Sequence, residues 1–159
     1  MWTVIIILLA VVYLVYKSIQ DKKPENVVRE SERIAEFDHN KIKIKILEEL
    51  NGDLEIQKED PGNEWVQGKI KYNKNILEMD NLYSNLKSKF KDDPKTLVEL
   101  AKDWANYWEA LSDLDFSVEL FMVDMQGSTD ERDKRHDDRT RKPLAIKQSV
   151  ETKFNTLSI

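Results

Sequence analysis

The feature that most constrains this chain is a run of apolar residues spaced alternately three and four apart in its second half. An apolar period of 3.5 residues, sustained over about four heptads, is typical of a helix that packs along a partner helix. We call this run the seam, and it predicts one long α-helix with a continuous contact face. The seam consists of Leu97, Leu100, Trp104, Tyr107, Leu111, Leu114, Val118, Phe121 and Met125.

The seam and one neighbouring aromatic residue, Trp108, form the predicted partner interface. Trp108 lies one position off the seam, which favours contact with another helix or a partner. Two other aromatic residues, Trp104 and Tyr107, are seam positions and are explained better by core packing than by a ligand pocket.

A second helix precedes the seam. Its apolar residues repeat the spacing of three and four, and Asp93-Pro94 supplies the N-cap and first residue of the helix that follows. The short connection predicts an antiparallel helical hairpin over residues 69–127. One hairpin buries only one face, so a third helix, a second copy or a foreign subunit must cover the rest. The repeating residues are Ile76, Met79, Tyr83, Leu86 and Phe90.

The composition also favours helices. Only four Gly and four Pro occur among 159 residues, which disfavours sandwiches, barrels and Rossmann-type folds with many tight turns. Residues 93–127 hold eight acids and two bases, whereas residues 61–92 are net positive, as suits helices that pack on one another. No basic patch indicates nucleic acid, so no such partner is predicted.

An apolar run at the start of the chain predicts a membrane anchor. Residues 2–16 contain no charged residue, Gly or Pro, and Lys17 can extend the span by reaching the headgroups. Trp2, Tyr13 and Tyr16 fall where interfacial aromatic residues are expected. A cleaved signal peptide is disfavoured because no positive n-region or small-x-small site is present. We therefore expect a single-pass transmembrane helix over residues 1–19, with lipid contact through residues 2–19.

The orientation follows from the flanking charges. Lys17, Lys22 and Lys23 come just after the apolar run, and only the α-amine precedes it. The positive-inside bias then predicts the N-terminus outside and the C-terminal domain on the cytoplasmic side. The expected fold class is all-α: the single N-terminal transmembrane helix, then an elongated helical hairpin or bundle with coiled-coil-like packing.

The remaining segments are assigned from local pattern. Residues 20–50 are predicted to form a helical stalk, although a β-hairpin is possible at 41–56, where alternating residues precede Asn51-Gly52. Residues 51–68 are predicted to be a linker. Residues 128–142 begin with a Ser128/Glu131 capping box and predict a charged, exposed helix. After Pro143, a short amphipathic helix is predicted over residues 143–159.

The sequence contains two histidines, which are its only candidate imidazole ligands for a metal. Each follows an acid by three residues, in Glu36-x-x-His39 and Asp133-x-x-His136, a spacing found in dimetal four-helix bundles. Asp replaces Glu in the second motif, which also lies in a very polar run, so the interpretation as surface histidines is favoured. No metal, cofactor or small-molecule substrate is predicted. Cysteine, phosphate-loop and zinc-protease signatures are absent from the sequence.

The leading functional hypothesis is a non-catalytic, membrane-anchored accessory subunit or assembly scaffold. It would associate through the seam with other subunits or with itself, and Leu111→Asp or Val118→Asp would abolish assembly. The first alternative is a membrane-tethered regulator or immunity factor that occupies a partner protein. A membrane-bound dimetal-carboxylate enzyme is the less favoured alternative.

Overall fold

The computed structural model describes the backbone of residues 2–159 and the side chains of residues 9–20 and 22–159. This backbone forms five α-helices, with no strand among the described residues. The predicted all-α helical bundle is therefore confirmed. The helices are α1 (Trp2–Asp21), α2 (Pro24–Glu59), α3 (Glu64–Lys89), α4 (Pro94–Val123) and α5 (Thr129–Ser158).

Helix α1 stands apart from the other four. Among the described helices it contacts α2 alone, and its side chains from Leu9 to Ile19 are exposed. This exposure includes Tyr13, Tyr16 and Lys17, which the sequence assigned to the membrane boundary. The side chain of Trp2, assigned to the opposite boundary, lies outside the described residues.

The predicted transmembrane anchor is not supported. Within the stretches whose side chains are described, no helix has the length and apolarity needed to cross a bilayer. This finding contradicts the predicted single-pass localisation over residues 1–19. The orientation and the lipid contacts were inferred from that predicted span, so the structure gives them no support.

Helix α2 extends through the predicted hairpin at 41–56. Ile42, Ile46 and Leu50 are buried at a spacing of four, as one face of a helix requires. Burial of this face outweighs the cost of about 1 kcal/mol for exposed Gly52 within a helix. The predicted linker at 51–68 is thus largely helical, and the turn to α3 comprises residues 60–63.

The packing of α4 differs from the predicted two-helix hairpin. Helix α4 packs most extensively on α2, next on α5, and only slightly on α3. Helices α2 and α4 run parallel, since Val28 shares a pocket with Leu97 while Lys45 pairs with Asp115. The seam is therefore covered mainly by α2, a segment that the sequence assigned to a stalk.

Helix α5 joins the two predicted C-terminal segments into one. The predicted capping box is present: Ser128 N donates to Glu131 Oε2 at 2.8 Å, and Glu131 N donates to Ser128 Oγ. Pro143 lies inside the helix, where it removes one backbone donor. Burial of Pro143, Val150 and Phe154 on the bundle side supports the helix on both sides of this defect.

The centre of the core is aromatic. Tyr107, Trp108 and Phe154 are completely buried, and the ring of Tyr83 stacks on that of Trp104 at 5.1 Å between centroids. These residues come from α3, α4 and α5, so the core is shared by three helices. Ile42 and Ile46 add the contribution of α2.

Candidate partner-binding site

The two candidate metal motifs lie in different parts of the bundle. The ring of His39 packs on Trp108 at 4.6 Å, whereas that of His136 packs on Phe121 at 4.9 Å. Trp108 and Phe121 are separated along α4 by about 20 Å. Glu36 and Asp133, the acidic members of the two motifs, are exposed. In the part of the chain that the structure describes, no three possible metal ligands come together.

His39 belongs instead to a polar network centred on Asp80. Its Nε2 lies 2.8 Å from Asp80 Oδ2, and Lys43 Nζ donates to the same oxygen at 2.6 Å. Trp104 Nε1 lies 3.4 Å from Asp80 Oδ1, at the long end of hydrogen bonding. The Asp80 carboxylate therefore links α2, α3 and α4.

The electrostatics of this network fit a structural role. Burial raises the pKa of Asp80, but the hydrogen bonds and charges of His39 and Lys43 outweigh it and hold the pKa below its ordinary value. Burial raises the pKa of Tyr83, and the hydrogen bond to Glu32 raises it further. Asp80 is thus an ionised acceptor with several donors, not a free acid positioned to transfer a proton.

The first part of the seam lies in the bundle's own core. Four of its residues are buried, Leu97 and Leu114 are half-buried, and the adjacent Trp108 is completely buried. These residues pack against side chains of α2, α3 and α5 of the same chain. The side chains predicted to meet a foreign subunit here therefore form intramolecular contacts. The four buried seam residues are Leu100, Trp104, Tyr107 and Leu111.

The last part of the seam is uncovered. The exposed fraction is 52% for Val118, 68% for Met122 and 80% for Met125. We call these three residues the open seam. Phe121 is the exception in this region, since it is half-buried beside His136 and Arg132 of α5.

A pocket of about 260 Å³ precedes the open seam, between α2, α3 and α4. Val118 lines it and also begins the open seam, so the two features are continuous. Lys45 donates to Asp115 at the pocket wall, and the charges of Glu119 and Glu49 also act on Lys45. The hydrogen bond to Asp115 outweighs burial and raises the pKa of Lys45.

Two residues of this region were missed by sequence reasoning. Met122 is adjacent to the predicted seam position Phe121, and α5 covers Phe121 while Met122 stays exposed. Asn73 interrupts the apolar face of α3, yet it is buried and lines the pocket. A polar residue at a core position of a periodic helix was the available signal for Asn73.

Comparison with known proteins identifies no family to which the chain belongs. No protein-family model, curated protein or solved structure matches the chain.

Proposed function

We propose that this protein is a non-catalytic helical scaffold that binds a basic amphipathic helix of a partner protein on the open seam. The observation that carries the proposal is the change of exposure along α4. Leu111 is 5% exposed in the core, whereas Val118, one heptad later, is 52% exposed. The apolar pattern thus continues beyond the place where the bundle's own helices cover it.

The spacing of the open seam suits a helical partner. Val118 and Met122 are four residues apart in α4, which aligns them on one side of the helix, and Met125 follows just after the helix ends at Val123. Helix-in-groove recognition uses anchors with this repeat. Methionine side chains are flexible and polarizable, and they are common on surfaces that bind helices.

The charges around the open seam indicate the chemistry of the partner. After Lys102, α4 carries no basic residue, and the side chains in the rest of the helix that are charged at neutral pH are all carboxylates. Glu119 on α4 and Glu49 on α2 are exposed, and neither forms an ion pair within the described chain. A helix with Lys and Arg beside its apolar face could pair with Glu49 and Glu119 and associate faster through these charges.

The same surface suits a second candidate function, a regulator that occupies its partner for a short time. A scaffold subunit would stay in a lasting complex, whereas a regulator would exchange, so the lifetime of the complex separates the two. A dimetal enzyme has less support, because His39 and His136 pack on different parts of α4 and His39 is bonded to Asp80.

A charge-swap pair tests the proposal. Met122→Lys and Met122→Glu remove the same methionine but add opposite charges. We expect partner recovery from the native source to fall for both variants and to fall at least several-fold further for Met122→Lys, because the partner is basic. Phe37→Lys is the matched control, since Phe37 is an exposed apolar residue on α2. Equal recovery with all three variants would overturn the proposal.

A further inference from the structure

A second pocket, of about 400 Å³, lies between the start of α2 and the turn that joins α3 to α4. This volume falls within the range of roughly 300–1,000 Å³ that is typical of small-molecule sites. Its eight lining side chains are all exposed or half-buried, so the atoms of a bound molecule can reach each of them. The four apolar side chains are Pro24, Val28, Pro94 and Leu97, and the four charged ones are Glu25, Arg29, Glu32 and Lys91.

The apolar wall of this pocket is preformed. Val28 packs against the main core of the bundle, and Leu97 is half-buried in the first turns of α4. Pro24 and Pro94 each begin a helix, where the fixed φ of proline limits the motion of the ring. The pocket therefore offers an ordered apolar surface to an alkyl chain.

The two acids of the pocket are balanced by other groups of the bundle. The Glu32 carboxylate accepts from the Tyr83 hydroxyl at 2.8 Å and from Lys87 Nζ at 2.5 Å. Glu25 lies in the first turn of α2, where the backbone N–H groups at the positive end of the helix offset its charge. Neither carboxylate therefore requires a cation from a bound molecule.

The two cations of the pocket are available to an anion. Arg29 donates only to the neutral Asn26 Oδ1, at 3.0 Å, and Lys91 forms no ion pair within the described part of the chain. The acids that follow Lys91, Asp92 and Asp93, do not line the pocket, and Asp93 is the N-cap of α4. A carboxylate in the pocket can therefore pair with Arg29 and Lys91.

We propose that this pocket binds a small molecule with a carboxylate on a linear apolar chain, the chemistry of a medium-chain fatty acid. The carboxylate pairs with Arg29 and Lys91, and the alkyl chain lies against Val28 and Leu97. An alcohol of the same shape keeps the apolar contacts but gains no ion pair. An amine of the same shape is repelled by the two cations. The cations and the apolar wall together therefore select the carboxylate.

Titration with three matched compounds tests this specificity. The probes are octanoate, octanol and octylamine, which share one alkyl chain, at concentrations too low for micelles. We expect octanoate to bind at least about threefold more tightly than octanol, and octylamine to bind most weakly. Octanoate should shift the NMR signals of the Val28 and Leu97 methyl groups but not those of Val66, which lies in a separate apolar cluster. Equal affinity of the three compounds, or tightest binding of octylamine, would overturn the proposal.

Two charge-removing variants test the residue assignment. Arg29→Gln and Lys91→Gln should each weaken octanoate binding about two- to fivefold and leave octanol binding unchanged, a difference that a loss of folding would not produce. Lys95→Gln is the control, since Lys95 is an exposed lysine in the first turn of α4 that does not line the pocket. Unchanged octanoate affinity in both pocket variants, or an equal loss in Lys95→Gln, would contradict the assignment.

The terminal carboxylate of an apolar peptide offers the same chemistry, and a further titration separates the two sources. Acetyl-Leu-Leu with a free carboxylate carries peptide groups that the apolar wall leaves without hydrogen bonds, so we expect it to bind more weakly than octanoate. Tighter binding of this peptide would overturn the fatty-acid class. The proposal is independent of the partner helix, because no residue of the open seam lines this pocket. Met122→Lys should therefore leave octanoate affinity unchanged.

Discussion

His39 on α2 and Asp80 on α3 are joined by a hydrogen bond of 2.8 Å between Nε2 and Oδ2. The two residues lie 41 positions apart in the chain, so the bond fixes the register of α2 against α3. Lys43 shares the same carboxylate oxygen. We expect Asp80→Ala to lower the free energy of unfolding by about 2 kcal/mol, as measured by urea denaturation.

Asp80 also gives the protein a specific acid sensitivity. Because its pKa is lowered in the folded state, the ionised carboxylate stabilises the fold above the unfolded pKa of about 4. This contribution is lost as the pH falls from there through the lowered folded pKa. Urea midpoints measured between pH 7 and pH 2.5 should therefore fall less steeply in Asp80→Asn than in the wild type. An identical pH dependence in the two proteins would contradict this assignment.

Leu111 and Val118 should respond differently to the same substitution. Leu111 is buried in the core, so Leu111→Asp leaves a carboxylate without a partner and should cost more than about 3 kcal/mol. Val118 is more than half exposed, and Val118→Asp should change stability by no more than about 0.5 kcal/mol. Thermal unfolding followed by circular dichroism distinguishes them. If both variants unfold at the same temperature, the boundary between the core and the open seam is misplaced.

The turn before α5 depends on Gly127. Its φ is +76°, and a Cβ atom there would collide with the carboxylate of Glu131, which caps α5 by accepting from Ser128 N. Gly127→Ala should therefore lower stability by about 1–2 kcal/mol and speed amide exchange at the start of α5. Gly68→Ala is the control, because Gly68 lies in α3 with open space around it. That control should be neutral or stabilising by up to about 1 kcal/mol. A neutral result for Gly127→Ala would rule out the strain described here.

Asp53 is buried and forms an ion pair between α2 and α3 with the half-buried Lys69, whose Nζ lies 3.0 Å from Asp53 Oδ1. Lys69→Met leaves the buried carboxylate unpaired and should cost about 3–5 kcal/mol. The double variant Asp53→Leu/Lys69→Met removes both charges and should recover most of that loss. Urea denaturation of the two variants and the wild type measures the difference. A double variant as unstable as Lys69→Met would show that the charges are not coupled.

The sequence predicted the helices better than their arrangement. Periodic spacing identified α3 and α4, and the Ser128/Glu131 capping box and the Asp93-Pro94 pair marked two helix starts. Local signals at Asn51-Gly52 and Pro143 suggested breaks that the structure does not show. Burial of Ile46, Leu50 and Val150 outweighs those local preferences, and burial depends on contacts between distant segments.

The site was predicted in part. The seam was identified from its spacing, but spacing alone does not tell which helix covers each position. Helix α2 covers Trp104 and Leu111, so the interface predicted for a foreign subunit is divided into a core part and an open part. His39 was considered as a metal ligand because its neighbours in sequence are acids. Its partner in space, Asp80, is 41 residues away and could not be inferred from spacing.

Photo-cross-linking from position 122 in the native source tests the central claim most directly. A photoreactive phenylalanine analogue replaces Met122 in one sample and Phe37 in a matched control, and the cross-linked peptides are sequenced. We predict that position 122 captures a segment of another protein whose sequence is helical, amphipathic and rich in Lys and Arg, and that position 37 does not. A second copy of this chain, an acidic segment, or the same products from both positions would contradict the claim.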